Sequence, residues 1–152
     1  MLFFYTNPAI TKPGQVTSEL IAINPADSGD IAKTNIAWRL KSPGPQIITT
    51  LIRDVLIYTI DPASNLSCLD SRTGKTVYSN HLTGIYSSSP VYAGGNLYFT
   101  SLAGETIVVK AGEKLEVLGR NRLRGEVFAT PAITNKSLIL RVGPYLFCIG
   151  NQ

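Results

Sequence analysis

Few side chains in this sequence carry reactive chemistry. Its 152 residues include two cysteines, Cys68 and Cys148, and one histidine, His81. Three such ligands cannot build a zinc cluster of the Cys/His type. A general base needs a partner within hydrogen-bond reach. Spacing gives His81 none, so it reads as a solvated loop residue. Asp27-x-x-Asp30, beside Asn24, Ser28 and Gly29, hints at calcium. A calcium site wants about six or seven oxygen ligands, so the segment reads as a polar loop with Asx turns. Arg120, Arg122 and Arg124 share one face if the chain there is extended. That face would suit an anionic partner or polysaccharide, but a solvated outer edge is the simpler reading. It lacks the interleaved aromatics of a single-strand nucleic-acid groove. Tyr86, Tyr92 and Tyr98 would make a carbohydrate platform if they shared a surface, although core packing also accounts for them.

None of these amounts to a catalytic constellation, and the elements that hold them say more. The chain is 44% apolar and 16% charged, with a formal net charge of +4. That supports one ordinary core and argues against disorder. The basic excess is modest and scattered, so no nucleic-acid partner is expected. No apolar run reaches the ~18 residues of a membrane span. Met1-Leu2-Phe3-Phe4-Tyr5 stops at Thr6-Asn7-Pro8 without a basic n-region, so no signal peptide is expected.

The sequence repeats itself. Ser89-Pro90-Val91-Tyr92 matches Thr130-Pro131-Ala132-Ile133 at a spacing of 41, and Leu97/Leu138 and Leu82-x-Gly84/Leu123-x-Gly125 keep the same spacing. Extending it backwards sets Leu97 on Leu56, Tyr98-Phe99 on Ile57-Tyr58, and Ile107-Val108-Val109 on Leu66-Ser67-Cys68. Each unit reads as four short strands rich in Val, Ile, Tyr, Phe and Thr. In the middle unit they fall at about 87–93, 96–102, 106–111 and 115–121, separated by glycine turns. No segment holds a helical period with caps.

Units of roughly 40 residues with four strands each predict β-propeller blades. Proline cannot donate to a ladder and belongs on a sheet edge. Pro90 and Pro131 are accordingly placed in the first, innermost strand of their units. At the N-terminus, Leu2–Thr6, Glu19–Ile23 and Ile36–Leu40 are expected as second, third and fourth strands of a preceding unit. Asn7–Ser18 and Asn24–Thr34 are expected as long loops. The expected fold is all-β: one segment, residues 1–152, of about three and a half four-stranded antiparallel blades. It divides into a partial blade (1–41), two blades (42–82 and 83–123) and a partial C-terminal blade (124–152). Fourteen strands fall short of the smallest closed ring of about four blades. The remaining blades of a larger propeller, or a second copy of the chain, are the expected partners.

Leu66-Ser67-Cys68-Leu69-Asp70-Ser71-Arg72-Thr73-Gly74-Lys75-Thr76-Val77-Tyr78 resembles the pyrroloquinoline-quinone-like repeat of quinoprotein-type β-propellers. That repeat reads apolar-x-Cys/Ala-apolar-Asp-x-x-Thr-Gly-Lys-x-x-Trp. Ser88-Ser89-Pro90-Val91-Tyr92, Asn96-Leu97-Tyr98-Phe99, Ala129-Thr130-Pro131-Ala132 and Tyr145–Gly150 resemble later blades. Ile36-Ala37-Trp38-Arg39 resembles the end of an earlier one. Tyr78 stands where Trp is usual, and Ala111-Gly112-Glu113-Lys114 replaces Asp-x-x-Thr-Gly in the middle unit.

The motif has its own physical reading. Asp70 can accept from backbone N–H groups two and three residues on, with Thr73 adding a hydroxyl. Gly74 supplies a positive φ. The aromatic that follows, Tyr78 or Trp38, then covers the seam between blades, where a large ring removes ~150 Å² or more from water. Asp70, Thr73, Gly74, Tyr78, Trp38, Pro90 and Pro131 thus read as a structural repeat motif, with no catalytic, cofactor or metal residue assigned.

Cys68 and Cys148 fall on matching third-strand positions two blades apart, too far for a disulfide. Both read as small buried hydrophobes. The resemblance implies relatives that work outside the cytoplasm, as assembly scaffolds or as quinoprotein oxidoreductases that set adjacent cysteines against the quinone. This chain has no adjacent cysteines. The expected function is therefore a non-catalytic binding or assembly scaffold, with a protein or carbohydrate ligand and no cofactor. The alternative is a fragment of a quinone-dependent alcohol or sugar dehydrogenase, inactive alone, with pyrroloquinoline quinone as cofactor. The resemblance implies a periplasmic or extracellular location.

Overall fold

The structure is a computed structural model that describes residues 1–6, 9–12, 15–25, 35–42 and 48–150. It is all-β, as expected, and forms an unclosed partial propeller. The described residues form four antiparallel sheets. The first holds β1 (Leu2–Tyr5), β2 (Ala9–Lys12), β3 (Gln15–Ile23) and β4 (Ile36–Ser42). The second runs β5 (Leu51–Arg53), β6 (Leu56–Ile60), β7 (Asn65–Asp70), β8 (Thr76–His81). The third runs β9 (Val91–Ala93), β10 (Asn96–Thr100), β11 (Glu105–Lys110), β12 (Val117–Arg122). The last holds β13 (Ala132–Ile133), β14 (Ser137–Val142) and β15 (Tyr145–Gly150).

The strands form where β-branched and aromatic residues run between short turns. Gly94-Gly95, both at positive φ, join β9 to β10 in the twist-matched hairpin geometry. The innermost strands converge. Thr49 N–H donates to Ser89 Oγ at 2.9 Å, and Ser89 N–H donates to Thr130 Oγ1 at 3.0 Å. Each bond steps from one sheet to the next.

Two expectations need correction here. Within Asn7–Ser18, expected as a loop, β2 pairs with the first half of β3 as an extra hairpin, which raises the strand total among the described residues to fifteen. Pro90 and Pro131 immediately precede β9 and β13 rather than lying inside them. Both are buried.

A third correction concerns register. Tyr58 pairs with Cys68 and Tyr98 pairs with Val108. Leu51 pairs with Tyr58 and Val91 with Tyr98. The first three strands of the second and third sheets therefore repeat at 40 residues, not 41. Tyr98 is the counterpart of Tyr58, and Leu97 of Ile57. The turn after β11 is one residue longer, closed by Lys110 N–H to Glu116 O, where Asp70 N–H meets Lys75 O after β7. Spacing returns to 41 only beyond it, so Tyr78 corresponds to Gly119. A one-residue slip moves every side chain to the opposite face.

The core lies in the seams between sheets. Leu20, Ile57 and Leu69 fill the first seam, with Phe3, Tyr5, Trp38 and Leu40 against them. The second seam is the largest cluster and includes Leu56, Tyr58, Leu66, Cys68, Leu97, Phe99, Ile107 and Val109. The third is small: Val127, Leu140 and Val142, flanked by Leu123 and Phe147. All five residues of β6 are buried, because its sheet is covered on both faces.

Candidate functional site

The seams are also where the chain's polar groups are most organised. Asp70 ends β7 and accepts the N–H groups of Arg72 at 2.9 Å and Thr73 at 3.0 Å, and the Thr73 hydroxyl at 3.2 Å. Arg72 Nη2 reaches Asp70 Oδ2 at 2.6 Å. The Arg72 guanidinium, with these backbone donors, holds the Asp70 carboxyl down at about 2. Gly74 has φ +70°, and a Cβ there would lie 2.7 Å from Trp38 Cε3. Trp38, from β4, lies across that glycine and donates its indole N–H to Ser71 O at 2.9 Å. The first sheet thus grips the turn of the second.

The second seam is held in a similar way by a different residue. The Tyr58 hydroxyl accepts the Gly112 N–H at 2.8 Å, binding the turn that follows β11. Burial raises its pKa. Tyr78 faces the same seam from β8. Its hydroxyl is buried without a hydrogen-bond partner in the protein, and desolvation raises its pKa as well. Burial pushes the Cys68 thiol up to about 11.

The third seam is open. Its walls enclose a cleft of about 700 Å³. Tyr98, Thr106, Val108 and Asn121 line one side, and Ile133, Leu138, Leu140 and Ile149 line the other. Among the described residues the lining includes Arg122 and Lys136 and no acidic residue. Thr106 replaces Leu66 here, and Gly119 replaces Tyr78.

The other candidates are dispersed. His81, expected in a loop, is the last residue of β8; it is exposed, with Nδ1 3.3 Å from Asn65 Oδ1. Both cysteines are free, Cys68 buried and Cys148 exposed. Cys148, expected as a buried hydrophobe, lies on the outer face of the last described sheet and is exposed. Arg120 meets Glu105 Oε2 at 3.4 Å. Arg120 and Arg122 share a face of β12, but Arg124 lies beyond the strand. Tyr92 and Tyr86 pack into the second seam while Tyr98 faces the third, so the three form no single platform. Burial raises the Tyr86 hydroxyl to about 12. Asp27 and Asp30 lie outside the described residues. Among the described residues no three His, Cys, Asp or Glu side chains converge, and no helix is long and apolar enough to cross a membrane.

Sequence reasoning missed Tyr58, Ser71 and Gly119. The correct 40-residue register would have aligned Tyr58 with Tyr98. Gly119 stands out once its strand is set against Trp38 and Tyr78.

The end sheets differ from the inner ones. Leu2 and Phe4 of β1, and Tyr145 and Leu146 of β15, are exposed, Leu146 at 73%. Residues of the same type in β6 are buried.

No known family model matches the chain. It is 24% identical over 90 residues to the outer membrane protein assembly factor BamB of Marinobacter adhaerens (strain DSM 23420 / HP15), a match that takes in 59% of this chain and 23% of that protein. The chain thus matches less than a quarter of that curated relative. The crystal structure of BamB from Moraxella catarrhalis superposes with TM-score 0.68 at 16% identity, over 87% of this chain and 40% of that one. Quinohemoprotein alcohol dehydrogenase ADHIIG from Pseudomonas putida HK5 gives 0.57 at 16% identity, over 68% of this chain and 18% of that one. Quinohemoprotein alcohol dehydrogenase from Comamonas testosteroni gives 0.53 at 15% identity, over 64% and 17%. The fold is a β-propeller related to those of BamB and the quinoprotein dehydrogenases.

Proposed function

We propose that this chain is a non-catalytic propeller segment that serves as a binding or assembly scaffold and belongs to the pyrroloquinoline-quinone-like repeat family. The observation that carries the reading is the contrast between sheet faces. Inner faces are packed and latched by Trp38 and Tyr58, while both outer faces present apolar side chains to water. Such faces mark interaction surfaces. Further blades, from a longer protein or a second copy, cover them in this reading. Asp70, Thr73, Gly74, Trp38 and Tyr78, together with Pro90 and Pro131, serve the architecture and not a reaction. The 24% identity to an assembly factor supports a scaffold role, and by the same likeness the working location is the periplasm or the cell exterior.

The fold family also includes quinone enzymes. The thiols and carboxylates described do not fit a quinone site. The two thiols lie on different sheets, one sealed in a seam and one at the outer face, and no acidic cluster stands near either.

Light scattering across a concentration series tests the reading. The wild-type chain should self-associate, and the double variant Phe4→Lys, Leu146→Lys should stay monomeric with unchanged far-UV circular dichroism. A chain that is monomeric at every concentration, in both forms, counts against it. So does alcohol-dependent dye reduction after addition of pyrroloquinoline quinone, which would favour a dehydrogenase fragment.

A further inference from the structure

Each of the first three sheets ends outward in a strand that pairs with a single neighbour among the described residues: β4, β8 and β12. An open edge invites further pairing, and charged side chains restrict what can pair there. The three edges differ in charge. β8 carries Ser79 and His81, opposite Ser67 and Asn65. β12 carries Arg120 and Arg122 at the equivalent places, opposite Ile107 and Glu105. Arg120 lies 3.4 Å from Glu105 Oε2, whereas neither Arg122 nor Arg124 has an acidic partner within 4 Å among the described residues. Every residue of β12 except Gly119 is exposed.

The backbone of β12 is aimed for such pairing. Leu123 N–H donates to Gly104 O at 3.1 Å, towards β11. Successive residues of an antiparallel strand turn their N–H and C=O to alternate sides. No register shift interrupts Gly119–Arg122, so Arg120 and Arg122 direct their backbone groups to the open edge. Their side chains, two residues apart, share one face. The geometry points to strand addition on this edge by an extended segment of a partner protein with acidic residues two positions apart. Its two carboxylates fall opposite Arg122 and Arg120, on their face, with Cβ atoms about 5 Å away. The guanidinium forks suit carboxylates, and charge complementarity of this kind sets partner choice. A second copy offering its own β12 would set arginine against arginine, so the edge rejects its like. β4 carries a related pair, Arg39 and Lys41. There Arg39 is held closer to its glutamate, Glu19, at 3.0 Å, and the lysine is a point charge without a fork. The β12 edge lies apart from both end faces, so binding there and self-association through those faces succeed or fail separately.

The test is a ¹⁵N NMR titration of the chain at low salt with three capped peptides, acetyl-Thr-Glu-Val-Glu-Thr-amide, its isomer acetyl-Thr-Glu-Glu-Val-Thr-amide and acetyl-Thr-Lys-Val-Lys-Thr-amide. The first should give saturable shifts at Gly119, Arg120, Asn121 and Arg122. It should also slow hydrogen exchange of the Arg120 and Arg122 amides, which ion pairing alone would leave unchanged. The isomer and the lysine peptide should each bind about fivefold more weakly or not at all, which corresponds to losing one opposite-charge cross-strand pair. Arg122→Glu, at an exposed position, should weaken the first peptide and strengthen the lysine peptide while the spectrum stays dispersed. The assignment is overturned by an absence of shifts, by shifts confined to β4 or β8, by equal binding of the two glutamate peptides, or by shifts without exchange protection. Binding of phosphatidylglycerol vesicles through the same arginines, with no response to the peptides, would put a lipid surface in place of the protein partner and overturn it as well.

Discussion

The indole N–H of Trp38 donates to the carbonyl of Ser71 at 2.9 Å, across the seam between the first two sheets. The bond joins an outer strand to the turn of the next unit. It satisfies the polar edge of a half-buried ring, and a fully buried donor left unpaired would cost about 1–3 kcal/mol.

Removing the bond and removing the ring should differ. Trp38→Phe keeps most of the apolar contact and should cost about 1 kcal/mol. Trp38→Ala opens the seam and should cost about 3 kcal/mol. Gly74→Ala should also destabilise, because its Cβ meets the indole and its φ is positive. Urea denaturation of the three variants checks the order.

The Asp70 turn predicts a pH dependence. Its carboxyl is lowered from the ordinary 3.8 to about 2, chiefly by Arg72. A depressed folded-state pKa contributes stability that is fully present above the unfolded value. That contribution is lost as pH falls from about 4 towards 2. The stability gap between wild type and Asp70→Asn should therefore be widest near neutral pH and shrink below about 4. Urea midpoints of both proteins between neutral and acid pH measure it. A gap that stays constant across that range would remove Asp70 from the latch.

The cysteines should separate by reactivity. Cys148 is exposed and Cys68 buried, with its thiol pushed up to about 11. Iodoacetamide at neutral pH should alkylate Cys148 in the folded chain and reach Cys68 only after unfolding. Peptide mapping after labelling reports both sites.

Equal truncations should have unequal costs. Ile57 is fully buried, whereas Leu146 is 73% exposed. Ile57→Ala should cost about 3 kcal/mol or more, and Leu146→Ala no more than about 0.5 kcal/mol. Thermal or urea unfolding of the two variants decides whether β6 is the centre of the core.

Much of this architecture is legible in the amino-acid sequence. The recurrence of Ser/Thr-Pro, of Leu-x-Gly and of short apolar runs between glycine turns indicated four-stranded units, and the four antiparallel sheets agree. Local turn chemistry is written in a few adjacent residues, so Asp70, Thr73 and Gly74 could be picked out together. The hairpin at β2 was not legible, because Asn7–Ser18 is rich in loop-forming residues and pairs only through the extended β3.

The amino-acid order alone determined the fold class and the repeating unit, since both follow from local propensity and periodicity. Tertiary structure decided which side chains share a seam. Leu56–Ile60 is buried at every position, so it shows no alternation from which a register could be read, and one extra residue in the turn after β11 shifts the period from 40 to 41. A period of 40 sets Tyr98 against Tyr58 and a period of 41 sets it against Ile57, on the opposite face of the sheet. Packing likewise decided that Cys68 is sealed and Cys148 exposed, because burial depends on the presence of a neighbouring sheet and not on the strand's own sequence.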